Sequence, residues 1–237
     1  MERLLRLGRP LKLLFMGAPG AGKGTYASRL ARDWSIPHIS TGDLIREEIK
    51  AKTSLGQTLQ EHADRGDLVP DNIVSAICRR RLAEKDCARG WILDGFPRTV
   101  TQAVELGQFD RPSLCVHIFL PDNILVTKLL SRRICGTCGA NFNTADIRSP
   151  PYDMPPLLPD AACSQCSGSP QLLKRNDDTE AVVQNRLAVY KRETEPLLRL
   201  YRQEGTLLDY HVKKGVKDLP DLSNTILTRV EQLDTKS

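Results

Sequence analysis

Two stretches of this 237-residue sequence have spacings with chemical meaning. The first is GAPGAGKGT, which sets Gly17, Ala18, Pro19, Gly20, Ala21, Gly22, Lys23, Gly24 and Thr25 in a row. It follows the phosphate-loop pattern G-x-x-x-x-G-K-[ST] as far as Lys23, but Gly24 then stands where the hydroxyl belongs and Thr25 comes one residue late. Such glycines let successive N–H groups turn inward on an anion, the next helix adds its positive end, and the lysine supplies a movable cation. With the hydroxyl displaced, a Mg2+ ion must be held by phosphates, water and some other acid. Asp94 is the natural candidate, because it closes the apolar run Trp91–Leu93 and so lies at a strand's carboxyl end, where open sheets bind ligands. The second stretch is Cys135, Cys138, Cys163 and Cys166, spaced C-x2-C-x24-C-x2-C, a thiolate set for a tetrahedral Zn2+. Lengthening the loop from about 18 to 24 residues costs only about 0.3 kcal/mol in closure entropy, against about 10 kcal/mol from a structural zinc. Four sulfur ligands leave no open position, so this metal would stiffen its lobe and activate no water.

Elements of alternating type must position these groups. LKLLFM at 11–16 reads as a strand running straight into the glycine loop, and 23–33 as the helix after it. Further strands are predicted at 91–93, 114–120 and 207–210, and helices near 71–85, 122–132, 178–203 and 221–234. That alternation predicts an α/β fold with a parallel sheet between helical layers. Two stretches interrupt it: 41–70 reads as two helices without a strand, and 134–174 holds the cysteine pairs. SPPYDMPPLLP within the latter reads as an extended surface loop. Ahead of the first strand, MERLLRLGRP reads either as a basic targeting turn or as a disordered arm.

Composition sets outer bounds. The chain is 40% hydrophobic, no apolar run approaches membrane length and none has the order of a secretory signal, so the reading is an intracellular, reduced protein. Its compartment stays open among cytoplasm, mitochondrion and plastid. A balance of 34 basic against 29 acidic residues is too mild to imply nucleic acid.

Several short blocks, taken in order between residues 11 and 210, resemble the adenylate kinases. They are GAPGAGKGT, STGDLIR at 40–46, DGFPRT with Gln102 at 94–102, SRR at 131–133, and RNDD at 175–178 with Arg186. The resemblance is to the long form of the family, whose mobile lid carries zinc in some members. It implies a P-loop three-layer αβα fold with a parallel five-stranded sheet. The core would cover 11–40, 71–131 and 175–234, with a helical monophosphate-binding insertion at 41–70, a zinc-ribbon-like lid at 132–174 and an N-terminal arm at 1–10. It implies reversible, Mg2+-dependent phosphoryl transfer from ATP to AMP, giving two ADP, by a monomer with no nucleic-acid or membrane partner. The attacking phosphate oxygen is already anionic, so positioning and cations carry the catalysis and no general base is needed. His38, His62, His117 and His211 accordingly read as structural.

By the same resemblance, residues 17–25 with Lys128 and Arg132 would bind ATP. Thr41, Gly42, Arg46, Leu68, Val69, Gly95, Arg98, Gln102, Arg175 and Arg186 would bind AMP. Lys23, Arg98, Arg132, Arg175, Arg186 and Asp94 would be catalytic. The Gln102 amide would read adenine's N1 and amino edge; Thr99, where pyrimidine-specific relatives carry asparagine, favours AMP over UMP or CMP. Lys128 replaces an arginine that packs on the donor base, which keeps GTP open as donor. Two rivals from other classes are weaker. A P-loop GTPase lacks its N-K-x-D guanine-reading sequence, and a zinc-ribbon nucleic-acid binder lacks a basic face, since residues 139–170 hold one arginine and no lysine.

Overall fold

The structure is a computed structural model, and it describes residues 7–137, 139–159 and 171–235. Five parallel strands form the central sheet in the order β10-β4-β1-β3-β2: β1 (Leu11–Met16), β2 (His38–Ser40), β3 (Gly90–Asp94), β4 (Leu114–Phe119) and β10 (Leu207–His211). β1, in the middle, is apolar nearly throughout because helices cover both faces of a parallel sheet, and Leu13, Leu14 and Phe15 are all buried. Register aligns Phe15 with Asp94 and Ser40 with Asp94, so three strands deliver their carboxyl ends to one edge.

Helix α1 (Lys23–Trp34) follows the glycine loop and buries Tyr26, Ala27, Leu30, Ala31 and Trp34, one stripe at helical spacing, against one face. The two predicted helices of the 41–70 stretch are α2 (Thr41–Lys50), capped by the Ser40 hydroxyl, and α3 (Ser54–Arg65), capped by Thr53. α4 (Asp71–Leu82) and α5 (Val100–Phe109) flank β3, and α6 (Asp122–Leu130) follows β4.

Four expectations need correction. β2 was not predicted, because three residues carry too little periodicity to register. The predicted helix over 178–203 is three pieces: α7 (Glu180–Val189), a π-helical turn at Tyr190–Thr194, and α8 (Leu197–Gln203). Pro196 has no N–H to continue the ladder and crowds the carbonyl of residue 192, so the chain widens to a bond from Glu195 N–H to Tyr190 O at 2.9 Å. The proline-rich stretch is not a plain loop. It contributes the hairpin β7 (Ile147–Ser149) and β8 (Tyr152–Met154), whose Met154 is only 2% exposed. Finally, the arm is not loose at its inner end: Leu7 packs on the core, and Arg9 donates to Asp234 and, at 2.7 Å, to Ser113 Oγ.

The remainder of the 132–174 stretch is a small antiparallel sheet in the order β6-β5-β9: β5 (Arg132–Cys135), β6 (Asn141–Asn143) and β9 (Leu172–Leu173). The hairpin β7–β8 reaches back to the main body, where Asp153 N–H donates to Lys213 O at 2.9 Å and Met154 lies beside Gly215, 3.5 Å from where a β-carbon on it would stand. α9 (Leu219–Asp234) closes the chain by burying Leu222, Ile226, Leu227 and Val230.

Candidate active site

The loop between β1 and α1 turns on glycines that no other residue could replace. Gly17 has φ 142°, and a β-carbon there would lie 2.3 Å from the Ile118 carbonyl oxygen. Lys23 folds back over this loop, donating to Gly17 O at 2.9 Å and Ala18 O at 3.1 Å. Its ammonium is buried, and burial pushes its pKa down to about 8; Arg98, Arg186 and Arg132 add to the fall while Asp94 opposes it. An ammonium so placed is short of anions, which a nucleotide phosphate would supply. Gly20, Ala21, Gly22, Gly24 and Thr25 line a cleft of about 190 Å³ with Lys128, Arg132 and Asn143.

Asp94 ends β3 at the floor of that cleft. Burial alone would raise its pKa, but His38, Lys23 and Arg98 outweigh burial and hold the carboxyl below its ordinary value. An ionised, hard oxygen donor beside a phosphate loop fits Mg2+. His38 was read as merely structural, yet its Nε2 lies 3.8 Å from Asp94 Oδ2, too far for a hydrogen bond, and is buried with no other partner. The other three histidines do not reach the loop: His117 pairs with Asp209, His211 accepts from or donates to the Tyr152 hydroxyl, and His62 lies on α3.

A second cleft, of about 470 Å³, opens between β3 and the helices α2 and α3. Thr41, Gly42, Arg46, Leu68, Val69, Gly95, Arg98 and Gln102 all line it, with Arg175 and Arg186. Thr41 is buried with its hydroxyl 3.7 Å from Cys78 Sγ. Arg98 is held by its Nε on Gly95 O at 2.8 Å, and its own carbonyl accepts from Thr194 Oγ1 at 3.0 Å. The π-turn thus touches the site: it carries Thr194 inward, a contact that no sequence pattern signals. Arg46 is more open and hydrogen-bonds Asp43 at 2.5 Å.

Three more cations come from β5 (Arg132), the segment after β9 (Arg175) and α7 (Arg186). Arg132 makes a forked pair with Asp178, Nε to Oδ2 at 2.8 Å and Nη2 to Oδ1 at 2.5 Å, and Asp178 is 0% exposed. Arg186 bonds Asp177 at 2.8 Å. Arg175 donates to Asn141 Oδ1 at 2.9 Å while its buried Nε has no partner. Burial, then the nearby Arg132, pushes Arg175 and Arg186 each down to about 10, which still leaves both charged at neutral pH. Asp177 and Asp178 stood in the RNDD block without an assigned role; the signal that would have found them is that packed arginines need carboxylates between them. Lys128 is lowered by burial, and its carbonyl accepts from Asn143 Nδ2 at 2.7 Å.

Of the four zinc-spaced cysteines, Cys138, Cys163 and Cys166 lie outside the described residues. Cys135 is buried at the end of β5, where its N–H bonds Ala140 O and its carbonyl accepts from Gly139, a tight turn of the kind thiolate pairs use. Among the described residues no group of three or more His, Cys, Asp or Glu side chains forms a metal site. Cys78, Cys87 and Cys115 are buried core thiols.

Residues 15–206 match the family model described as adenylate kinase. The chain belongs to the adenylate kinase family. Similar adenylate kinases include one from Caldicellulosiruptor bescii, 41% identical over 224 residues, covering 92% of this chain and 97% of that one. A probable adenylate kinase 6, chloroplastic, from Arabidopsis thaliana is 43% identical over 89% of this chain and 72% of its own. A GTP:AMP phosphotransferase from Plasmodium falciparum is 37% identical over 92% of this chain and 96% of its own. As a member of this family the protein is a nucleoside monophosphate kinase, a phosphotransferase. Among the described residues no helix is long and apolar enough to cross a membrane.

Proposed function

We propose that this kinase passes the terminal phosphoryl group of ATP to AMP, reversibly, to give two ADP. One observation carries the reading: the two clefts share part of their walls, and the shared part includes the cations Lys23, Arg46, Arg98, Arg175 and Arg186. Two anions seated in them would face each other across those cations, and little else is needed for transfer between phosphates. Residues 17–25, with Lys128 and Arg132, hold the donor. Thr41, Gly42, Arg46, Leu68, Val69, Gly95, Arg98 and Gln102 hold the acceptor, with Arg175 and Arg186 spanning the gap. Mg2+ bound with the donor supplies charge neutralisation on its phosphates, and Asp94 is the side chain that would hold it through water. Residues 41–70 act as the acceptor-binding insertion and 132–174 as a lid whose closure excludes water, the competing nucleophile. A zinc on Cys135, Cys138, Cys163 and Cys166 would stiffen that lid. The protein acts as a monomer without nucleic-acid or membrane partners, inside the cell.

A second reading, GTP as donor, is favoured by Lys128, which offers the donor base no planar face, and by the likeness to a GTP:AMP phosphotransferase. A matrix of ATP, GTP, CTP and UTP against AMP, UMP, CMP and GMP, with Mg2+, separates the two. Fast ADP formation from ATP and AMP supports the first reading, preference for GTP establishes the second, and no conversion of AMP by any donor overturns both.

A further inference from the structure

Gln102 is 2% exposed, lines the acceptor cleft, and has both ends of its amide engaged. Oε1 accepts the Arg98 backbone N–H at 2.7 Å, and Nε2 donates to Asp71 Oδ1 at 2.8 Å. The other Asp71 oxygen accepts from Thr99 Oγ1 at 2.7 Å, so the carboxylate is itself fixed. A terminal amide has two orientations of nearly identical shape that differ in which end donates. Here its partners are one-sided: a backbone N–H only donates and a carboxylate only accepts. Together they permit one orientation and forbid its flip.

We infer that Asp71, steadied by Thr99, is the positioning residue that sets acceptor-base specificity by locking the orientation of the Gln102 amide. This rests on the proposed role of the cleft as the acceptor site. Each end of the locked amide keeps one unused valence, an N–H on Nε2 and a lone pair on Oε1. Such a donor–acceptor pair complements adenine, whose N1 accepts and whose amino group donates. Hypoxanthine and guanine present the reverse, an N1–H and a carbonyl oxygen, and would meet a donor with a donor. A glutamine without Asp71 would turn to suit either base. The specificity would then reside less in the residue that touches the base than in the carboxylate behind it. Thr99 and Asp71 come from different segments, Thr99 as the N-cap of α5 and Asp71 as the first residue of α4, and meet only through the fold.

The test compares AMP with IMP as acceptors for the wild type and for Asp71→Asn, Thr99→Val and Thr99→Ser, with thermal unfolding of each as a check on folding. Asparagine can offer Gln102 either end of its own amide, so Asp71→Asn releases the lock. It is expected to lower the ratio of kcat/KM for AMP over IMP about tenfold, the worth of one mispaired buried hydrogen bond, and to leave the donor KM unchanged. Thr99→Val should shift the ratio the same way by less, and Thr99→Ser should restore it. Thr99 Oγ1 also accepts the Gln102 backbone N–H at 3.2 Å, so if Asp71→Asn fails to fold it is an unmoved ratio in Thr99→Val that overturns the proposal. A wild type that prefers AMP, with a ratio unmoved in the folded variants, overturns the role of Asp71 and spares the acceptor pocket. A wild type indifferent between AMP and IMP overturns the pocket reading as well.

Discussion

Gly24 presents its bare α-carbon to the Asp94 carboxylate: a β-carbon on Gly24 would stand 3.2 Å from Asp94 Oδ2. Gly24 lies in the first turn of α1 with an ordinary helical backbone, so what a side chain there would disturb is the space beside Asp94 and not φ. This is the structural meaning of the hydroxyl shifted to Thr25. The position after the lysine is kept clear for a carboxylate arriving from β3. Gly24→Ala therefore sets stability against activity. Alanine should raise stability by about 0.5 kcal/mol or more, as in any helix. It should also displace Asp94, lower kcat about tenfold and raise the Mg2+ concentration needed for half-maximal rate. Thermal unfolding beside a Mg2+ titration of the rate checks both halves; an alanine variant with wild-type Mg2+ dependence refutes the assignment.

Asp94→Asn should slow turnover far more than Thr25→Val, by about 10²-fold against a few-fold, if the carboxylate and not the hydroxyl is the main side chain behind the metal. Steady-state rates at saturating nucleotide and Mg2+ measure this. Small and equal effects would remove Asp94 from the metal site.

Lys23 supplies the pH dependence. Its ammonium is buried and lowered from 10.5 to about 8, so the folded protein releases this proton before the unfolded chain does. A folded-state cation with a lowered pKa is a liability below about pH 8, and the liability fades as pH climbs from there toward 10.5. Stability from this group accordingly rises with pH across that window. Phosphate anions in the cleft reverse the shift and raise its pKa, so nucleotide binding near pH 8.5 to 9 should take up a proton. Titration calorimetry in two buffers of different ionisation enthalpy reads that uptake directly. The Lys23→Met variant should lose the uptake and fall in rate by about 10³-fold.

Asp178 is buried against Arg132 and stands 3.6 Å from Arg186. Removing it leaves a buried guanidinium unpaired, which costs about 3 kcal/mol or more. Asp178→Ala should show that loss in urea unfolding and a fall in kcat of at least about tenfold, because Arg132 is no longer held toward the cleft. A stable variant with normal kcat would show that the pair positions nothing.

Metal analysis of purified protein should find one Zn2+ per chain. Replacing Cys135 by serine, or treating with a strong chelator, should make the segment between Cys135 and Leu172 sensitive to protease while the sheet core survives. A metal-free protein that is fully active and protease-resistant would end the zinc proposal.

The sequence disclosed much of this because the phosphate loop and Asp94 are set by short-range rules, a strand, a glycine turn and a helix, whereas Arg98 was reached through the family resemblance. The core strands were legible for the same reason, since β1, β3 and β4 are continuous apolar runs that only a two-sided sheet explains. What stayed hidden depends on distant partners. His38 comes under Asp94 because β2 pairs with β3, and nothing local in SIPHIS says so. Asp71 looks like an ordinary first-turn acid until α5 brings Gln102 against it. The π-turn needs Pro196 and the pull of Thr194 on the Arg98 carbonyl, and helical periodicity reports neither. SPPYDMPPLLP reads as surface from its prolines, whereas Met154 is buried because the hairpin it belongs to packs on the main apolar core.

That methionine bears on the lid proposed for residues 132–174. Its thioether sits with the main apolar core although the chain around it belongs to the peripheral hairpin, so any outward swing of residues 132–174 that carries the hairpin along must wet it. Wetting one such side chain costs about 2 kcal/mol, a factor of about thirty in population. Under the lid role proposed above, the hairpin would act as a clasp that opposes the outward swing. Cutting the clasp would leave the cleft ajar and let solvent reach whatever donor it holds.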